Sequence, residues 1–345
     1  MADRTEALRE AVAAACADAS PLYIRGGDSK RKLIGRDCEA TPLDIGGHSG
    51  IIDYQPDELV LSARAGTPLV ALADALAEYG QTLPFEPPQL QGSATLGGTL
   101  ACNLSGPARP WLGSIRDAVL GVQLINGRAQ TLDFGGKVMK NVAGYDVSRL
   151  QAGALGTLGV ITAVHCKVLP LPAATLTLAY DMPAAAAIST MCTRALESRP
   201  LTGACWLEGR LYLRLAGAEN AVRHTASLWG GEQVDDSIWA QLRELQHPLF
   251  EGGEPLWRLS CAPNTPHIAQ LTRAIDWGGA VRWLQGDVRT LNLPAGAHLT
   301  LFQGGDRSSE VRGRLDPVQQ QLQRRIKQAF DPAGIFNPGR LYSWI

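Results

Sequence analysis

The sequence is short of nearly everything that marks a metal centre, a nucleic-acid surface or a membrane span. Its seven cysteines, at 16, 38, 102, 166, 192, 205 and 261, are an odd number, widely scattered, with no C-x-x-C pair. By themselves they cannot hold an iron–sulfur cluster or a structural zinc, and they fit reduced thiols in a cytosolic protein. The six histidines, at 48, 165, 224, 247, 267 and 298, form neither H-x-x-H nor H-E-x-x-H, so no metal site is predicted. Charge is nearly balanced, 32 basic against 33 acidic residues, with no run of five or more like charges, which excludes a nucleic-acid footprint. No apolar stretch reaches the ~18 residues that a membrane helix needs. The N-terminal segment 1-MADRTEALREAVAAACADAS-20 is broken by Arg9 and Glu10 and mostly alanine, so it reads as an amphipathic helix rather than a signal peptide.

Both common nucleotide-binding fingerprints are missing too. No G-x-G-x-x-G opens a helix and no G-K-[ST] is present, so neither a Rossmann turn nor a P-loop is supported. Glycine is nevertheless dense in four places: 25-RGGDSK-30, 94-ATLGGTLACNLSG-106, 134-FGGK-137 and 153-GALGTLG-159. The last cluster runs directly into Gly159-Val160-Ile161-Thr162, which neither a phosphate loop nor a plain strand explains. Taken singly, each cluster reads as an ordinary turn. Together they form separate turns whose backbone N–H groups can converge on one long dianionic ligand.

At 345 residues the chain should hold two domains. After a strand-like run over 58–66, a helix is predicted over 67–80, capped by Thr67 and Gly80 and carrying Pro68 in its first turn, and residues 92–169 read as β-rich, with a hairpin at Asn126-Gly127. From 171 the texture changes: strand-like runs alternate with helix-like ones at 184–198, 236–250 and 265–275, and six of the eight tryptophans lie between 206 and 283. This predicts a separate α+β domain to about 315, with its own core, and makes the tryptophan-rich region the candidate docking surface for a partner. Asp316 then caps a final helix with Val318, Leu322, Ile326 and Phe330 on one face.

Several stretches carry a family resemblance: 24-IRGGDSK-30, 82-TLPFEPPQLQGSATLGGTLACNLSG-106, 113-GSIRDAVLG-121, 139-MKNVAGYD-146, 156-GTLGVIT-162 and 331-DPAGIFNPGR-340. The chain resembles the FAD-binding subunits of glycolate oxidases (glycolate dehydrogenases), within the vanillyl-alcohol oxidase and p-cresol methylhydroxylase type of flavoproteins. The resemblance covers about the first half and the last fifteen residues. It implies an α+β fold: a two-subdomain FAD-binding domain of the p-cresol methylhydroxylase type over 1–170 (subdomains about 1–55 and 56–170), a largely antiparallel α+β cap over 171–315, and a helix and tail over 316–345 returning to the FAD domain.

On the same resemblance Gly26, Gly27, Asp28, Ser29 and Lys30 cradle the pyrophosphate, and Thr95, Gly97, Gly98, Ser105 and Gly106 line the phosphate and ribityl region. Gly113 and Asp117 lie near the flavin, Gly156, Gly159, Val160 and Ile161 run alongside it, and Asn337 stands at the returning edge. Gly98 and Gly159 are expected to have no room for a Cβ because the cofactor needs that space. Asp28 departs from the pattern, standing where the family has a third glycine, with Arg25 and Lys30 as its nearest compensating charges. No histidine occupies this turn, which implies noncovalent FAD. Asn141 and Tyr145 stay open between turn residues and neighbours of the flavin, and Lys137 and Lys140 read as surface charges.

The function expected is that of an FAD-binding subunit of a multi-subunit, glycolate-oxidising enzyme, cytoplasmic and touching the inner membrane only through partners. Those partners are a catalytic flavoprotein subunit and an iron–sulfur subunit. No candidate base is apparent in the sequence, which favours electron relay or assembly over substrate oxidation by this chain alone. Two alternatives stand beside it. One is a self-sufficient 2-hydroxy-acid oxidoreductase gripping a carboxylate with Arg258, Arg282 or Arg340; the other is a non-catalytic scaffold of the same fold.

Overall fold

A computed structural model describes residues 2–136, 145–269, 271–288 and 291–345. The chain divides into two compact units, one formed by 1–104, 114–170 and 306–345, the other by 105–113 and 171–305. Two edges differ from expectation. The return to the first unit begins at Asp306 rather than near 316, and 105–113 leaves the first unit for the second.

The first unit carries a parallel pair, Leu22–Arg25 with Thr41–Asp44, and a five-stranded antiparallel sheet. The sheet order is Ile51–Gln55, Val60–Arg64, Val160–Lys167, Val119–Ile125, Thr131–Gly135. Because Ile51–Gln55 pairs with Val60–Arg64, the smaller layer ends between Asp44 and Ile51, not at residue 55. The neighbouring inner strands Val60–Arg64 and Val160–Lys167 are buried almost throughout. Three helices supply the cover at helical spacing: Thr5–Ala17 buries Leu8, Val12 and Ala15, Leu69–Ala77 buries Leu69, Leu72 and Leu76, and Leu96–Cys102 buries Leu96 and Leu100.

Local chemistry departs from the sequence reading at three places in this unit. Pro68, not Thr67, is the N-cap of Leu69–Ala77; the Thr67 hydroxyl instead donates to the Arg64 carbonyl at 2.7 Å and accepts from the Gly50 amide at 2.9 Å. The hairpin after Ile125 is a five-residue loop, in which the Asn126 side-chain oxygen accepts from the amides of Arg128 and Gln130. Gly127 serves another purpose: a Cβ there would lie 2.6 Å from the Asp331 carboxylate. Asp316 does cap the helix Pro317–Phe330, yet Val318 and Leu322 are 76% and 57% exposed. The buried side chain of that helix is Lys327.

The second unit holds an eight-stranded, wholly antiparallel sheet. Its order is Glu232–Val234, Ala174–Asp181, Arg210–Gly217, Leu201–Leu207, Thr272–Asp276, Val281–Gln285, Leu256–Ser260, His298–Gln303. Leu201–Leu207 and Arg210–Gly217 join through Glu208-Gly209, both at positive φ, the conformation a two-residue hairpin requires. The expected helix over 265–275 is absent, because Thr272–Asp276 pairs between two strands and buries Ala274 and Ile275. The helix expected over 236–250 stops at Glu244, followed by Leu245 at φ 59° and then Pro248, which cannot continue a helix. Of the six tryptophans here, Trp229, Trp239 and Trp283 are buried and Trp206, Trp257 and Trp277 half-buried. Trp206 and Trp257 pack partly against the core clusters of this unit, so most of these tryptophans serve the core.

His48 links the N-terminal segment to the five-stranded sheet. Its Nδ1 accepts from the Arg4 amide at 3.0 Å and its Nε2 faces the Thr162 carbonyl at 3.0 Å, a pattern only the neutral Nε2–H tautomer satisfies. Burial pushes its pKa below the usual 6.5, as it does for His247 and His267. The unfolded chain therefore takes up protons below pH 6.5 that the folded chain refuses, so their contribution is full above that pH and is lost on acidification. Urea midpoints measured from pH 7.5 to 5.5 should fall with pH, and His48→Gln should flatten the slope. A variant with the wild-type slope would remove His48 from this account.

Candidate cofactor cleft

Every side chain of the candidate site belongs to the first unit. A cleft of about 700 Å³ opens between the turn after Leu22–Arg25, the helix Leu96–Cys102 and the segment entering Val160–Lys167. Gly26, Gly27, Asp28, Ser29, Lys30, Thr95, Gly97, Gly98, Gly156, Gly159, Ile161 and Asn337 all line it. Ile24, Ile45, Ala101 and Leu155 add apolar wall. Five expected residues lie elsewhere. Ser105, Gly106 and Gly113 belong to the second unit. Asp117 is spent on a capping box, accepting from the Ser114 amide and hydroxyl at 2.9 Å. Val160 faces the core while its neighbour Ile161 reaches the cleft, as successive strand residues must. Asn141, Lys137 and Lys140 lie outside the described residues, and Tyr145 is 97% exposed.

The turn after Arg25 carries the anion-binding features. Asp28 takes a left-handed φ of 52°, the conformation a glycine would adopt without strain. Its carboxylate accepts from the Tyr23 hydroxyl at 2.6 Å and lies 3.7 Å from Arg31, whose guanidinium stacks over the Tyr23 ring at 4.8 Å. Burial first, and then the Asp28 bond, push the Tyr23 phenol up. The carboxylate is thus held by Tyr23 and Arg31, and the compensation comes from those residues rather than from Arg25, which pairs with Asp44. The backbone N–H groups of Gly27, Asp28 and Ser29 meet no acceptor among the described residues. Consecutive unengaged amides at a left-handed residue form an anion-binding concavity.

Buried positive charge stands at the same end. Lys30 and Arg340, each 5% exposed, line the cleft. Arg340 donates to the carbonyls of Arg31 at 2.7 Å and of Arg36, and Arg307, also buried, donates to the Gly35 carbonyl. Backbone carbonyls satisfy these Arg340 donors without neutralising the guanidinium charge, so this end of the cleft suits an anion. The same bonds answer the carboxylate-gripping alternative: Arg340 is committed to carbonyls, as is Arg282 in the second unit, which serves Gly279, Pro263 and Thr265. Arg258 stacks on Trp277 at 4.3 Å. None of the six histidines lines the cleft.

Protein atoms already occupy the Cβ space of several of these glycines. A Cβ on Gly27 would lie 1.6 Å from the Ser93 carbonyl oxygen, one on Gly97 2.6 Å from Ala65 Cβ, and one on Gly159 2.7 Å from the Ile125 carbonyl. These glycines let one wall lie against the next. Gly98 is the mildest, with only the Thr95 hydroxyl at 3.0 Å. In urea denaturation of the chain without added cofactor, Gly27→Ala should cost about 3 kcal/mol through overpacking, whereas Gly98→Ala should stay within about 1 kcal/mol. Equal costs would contradict the wall-on-wall role.

Comparison with known proteins agrees with this geometry. Residues 1–135 match the model of an FAD binding domain, and 303–341 that of the C-terminal domain of FAD linked oxidases. Over 99% of its length the chain is 44% identical to the glycolate oxidase subunit GlcE of Escherichia coli (strain K12), covering 98% of that protein. The glycolate oxidase subunit GlcD of Bacillus subtilis (strain 168) is 32% identical over 35% of this chain and 26% of its own length. The D-2-hydroxyglutarate dehydrogenase of Xanthomonas citri pv. viticola is 30% identical over 35% and 25%. Among solved structures, alkyldihydroxyacetonephosphate synthase superposes with a TM-score of 0.67 over 96% of this chain and 75% of its own, at 15% identity, which speaks to fold alone. With an FAD binding domain matched at its N-terminal end and a GlcE protein matched from end to end, the chain belongs to the GlcE family of FAD-linked oxidase-type flavoproteins.

Proposed function

We propose that this chain is the FAD-carrying subunit of a multi-subunit enzyme that oxidises glycolate to glyoxylate, working beside a catalytic flavoprotein subunit and an iron–sulfur subunit. The whole-length identity to a glycolate oxidase subunit carries the reading. In it, the N–H groups of Gly27, Asp28 and Ser29 receive the pyrophosphate, Lys30 and Arg340 offset its charge, and Ile24, Leu155 and Ile161 keep water from the apolar part of the cofactor. No residue of the first turn supplies a nucleophilic ring nitrogen, so the flavin is held without a covalent bond.

FAD bound here would supply a carrier of one or two electrons. What this chain adds is binding and electrostatics. A base for the hydroxyl proton is usually worth ~10²- to 10⁴-fold, and the cleft wall offers no histidine for that work. Substrate oxidation therefore falls to a partner, with this chain relaying electrons. The unengaged amides and buried cations argue against a scaffold that has given up its ligand. Among the described residues no helix is long and apolar enough to cross a membrane, so any membrane contact of the complex is assigned to other subunits.

The purified chain should be yellow, and acid precipitation should leave its flavin in the supernatant. Glycolate should bleach that flavin only when the partner subunits are added. Flavin in the pellet would overturn noncovalent binding. Bleaching of the isolated chain at the rate of the assembled enzyme would overturn the relay role.

A further inference from the structure

The C-terminal tail does more than return to the first unit. Asn337 is 3% exposed and sits at φ 41°, a left-handed setting that the surroundings must impose. Its Oδ1 accepts from the Ile24 amide at 2.7 Å, its Nδ2 donates to the Leu155 carbonyl at 2.6 Å, and its own amide donates to the Leu22 carbonyl at 2.9 Å. Ile24 precedes the anion-binding turn, and Leu155 precedes Gly156 in a second segment that lines the cleft. One side chain thus bonds both walls of the cleft. A Cβ on Gly156 would lie 2.8 Å from Asn337 Nδ2, so the glycine is needed for the amide to enter.

We propose that Asn337 is a positioning residue, a staple that fixes the spacing between the phosphate wall and the flavin wall, and not a ligand of the cofactor. Both ends of its amide are already used by backbone. Lys327 and Asp331 hold the staple in place. Lys327 Nζ donates to the Thr157 carbonyl, the Phe336 carbonyl and the Asp331 carboxylate at 2.7–2.8 Å, and that carboxylate also accepts from the Ile335 and Phe336 amides. The proposal rests on the reading that FAD lies along both walls. A ligand touching one wall gains nothing from fixed spacing, whereas a ligand spanning both gains the pre-organisation.

The test compares FAD with ADP, which carries only the pyrophosphate end, on wild type, Asn337→Ala and Asn337→Asp. Asp keeps the acceptor for Ile24 and sets a carboxylate against the Leu155 carbonyl. At a temperature where all three are folded by circular dichroism, FAD should bind Asn337→Ala about tenfold or more weakly and ADP within about twofold. Asn337→Asp should fall with Asn337→Ala. Hydrogen exchange at the Ile24 amide of the apo chain should rise by a similar factor in Asn337→Ala while remote core amides stay protected; this readout keeps the idea falsifiable if affinities shift for other reasons. If FAD and ADP weaken alike, or Ile24 exchange is unchanged, the staple is overturned and the cofactor reading stands. A wild-type chain that takes up no FAD overturns both.

Discussion

The buried pair of Lys327 and Asp331 is the constraint on which the cleft depends. Moving two charges out of water costs several kcal/mol each, and attraction alone repays this only when every remaining donor and acceptor is used. That condition is met. Burial pushes the Lys327 ammonium below its usual pKa, and Asp331 acts against the shift. The two other protons of the ammonium go to backbone carbonyls, and the carboxylate takes two amides. Removing either partner strands the other, so the last turn of the helix Pro317–Phe330, the bend at 331–336 and the loop at Thr157 are fixed as one body. Gly127 completes it, because only a residue without Cβ lets the hairpin approach Asp331.

From that body follow the positions of Asn337 and Arg340. One ties the walls of the cleft together, and the other satisfies the carbonyls of Arg31 and Arg36 beyond the anion-binding turn. The region matched to the C-terminal domain of FAD linked oxidases, 303–341, contains this apparatus. Chain ends are usually the least constrained part of a fold. Here the tail closes the site.

Much of this was legible in the sequence, and the failures have physical reasons. Turn chemistry and motif are local, so the sequence points to Gly26-Gly27-Asp28-Ser29-Lys30 and Asn337, and the structure brings them to one cleft. Ser105, Gly106 and Gly113, implied by the resemblance, are not among the residues lining the cleft: the left-handed Asn103 ends the helix and the chain departs into the second unit. Thr272–Asp276 looked helical because strand pairing is nonlocal and overrides weak propensity. The last helix shows a related limit. Periodicity marks a face but does not say that the face is covered, and a lysine was the residue buried there. No sequence signal distinguishes a lysine that will meet three acceptors from one that will meet water.

The central claim is that the turn at Gly27, Asp28 and Ser29 receives the diphosphate of FAD in a cleft framed by the tail. Amide hydrogen exchange, resolved to single residues and measured with and without saturating FAD, tests it most directly. The account predicts new protection at the Gly27, Asp28 and Ser29 amides, which have no acceptor among the described residues, together with the segment from Gly156 to Ile161. Unchanged exchange at those three amides while FAD is bound, with protection confined to the second unit, would contradict it.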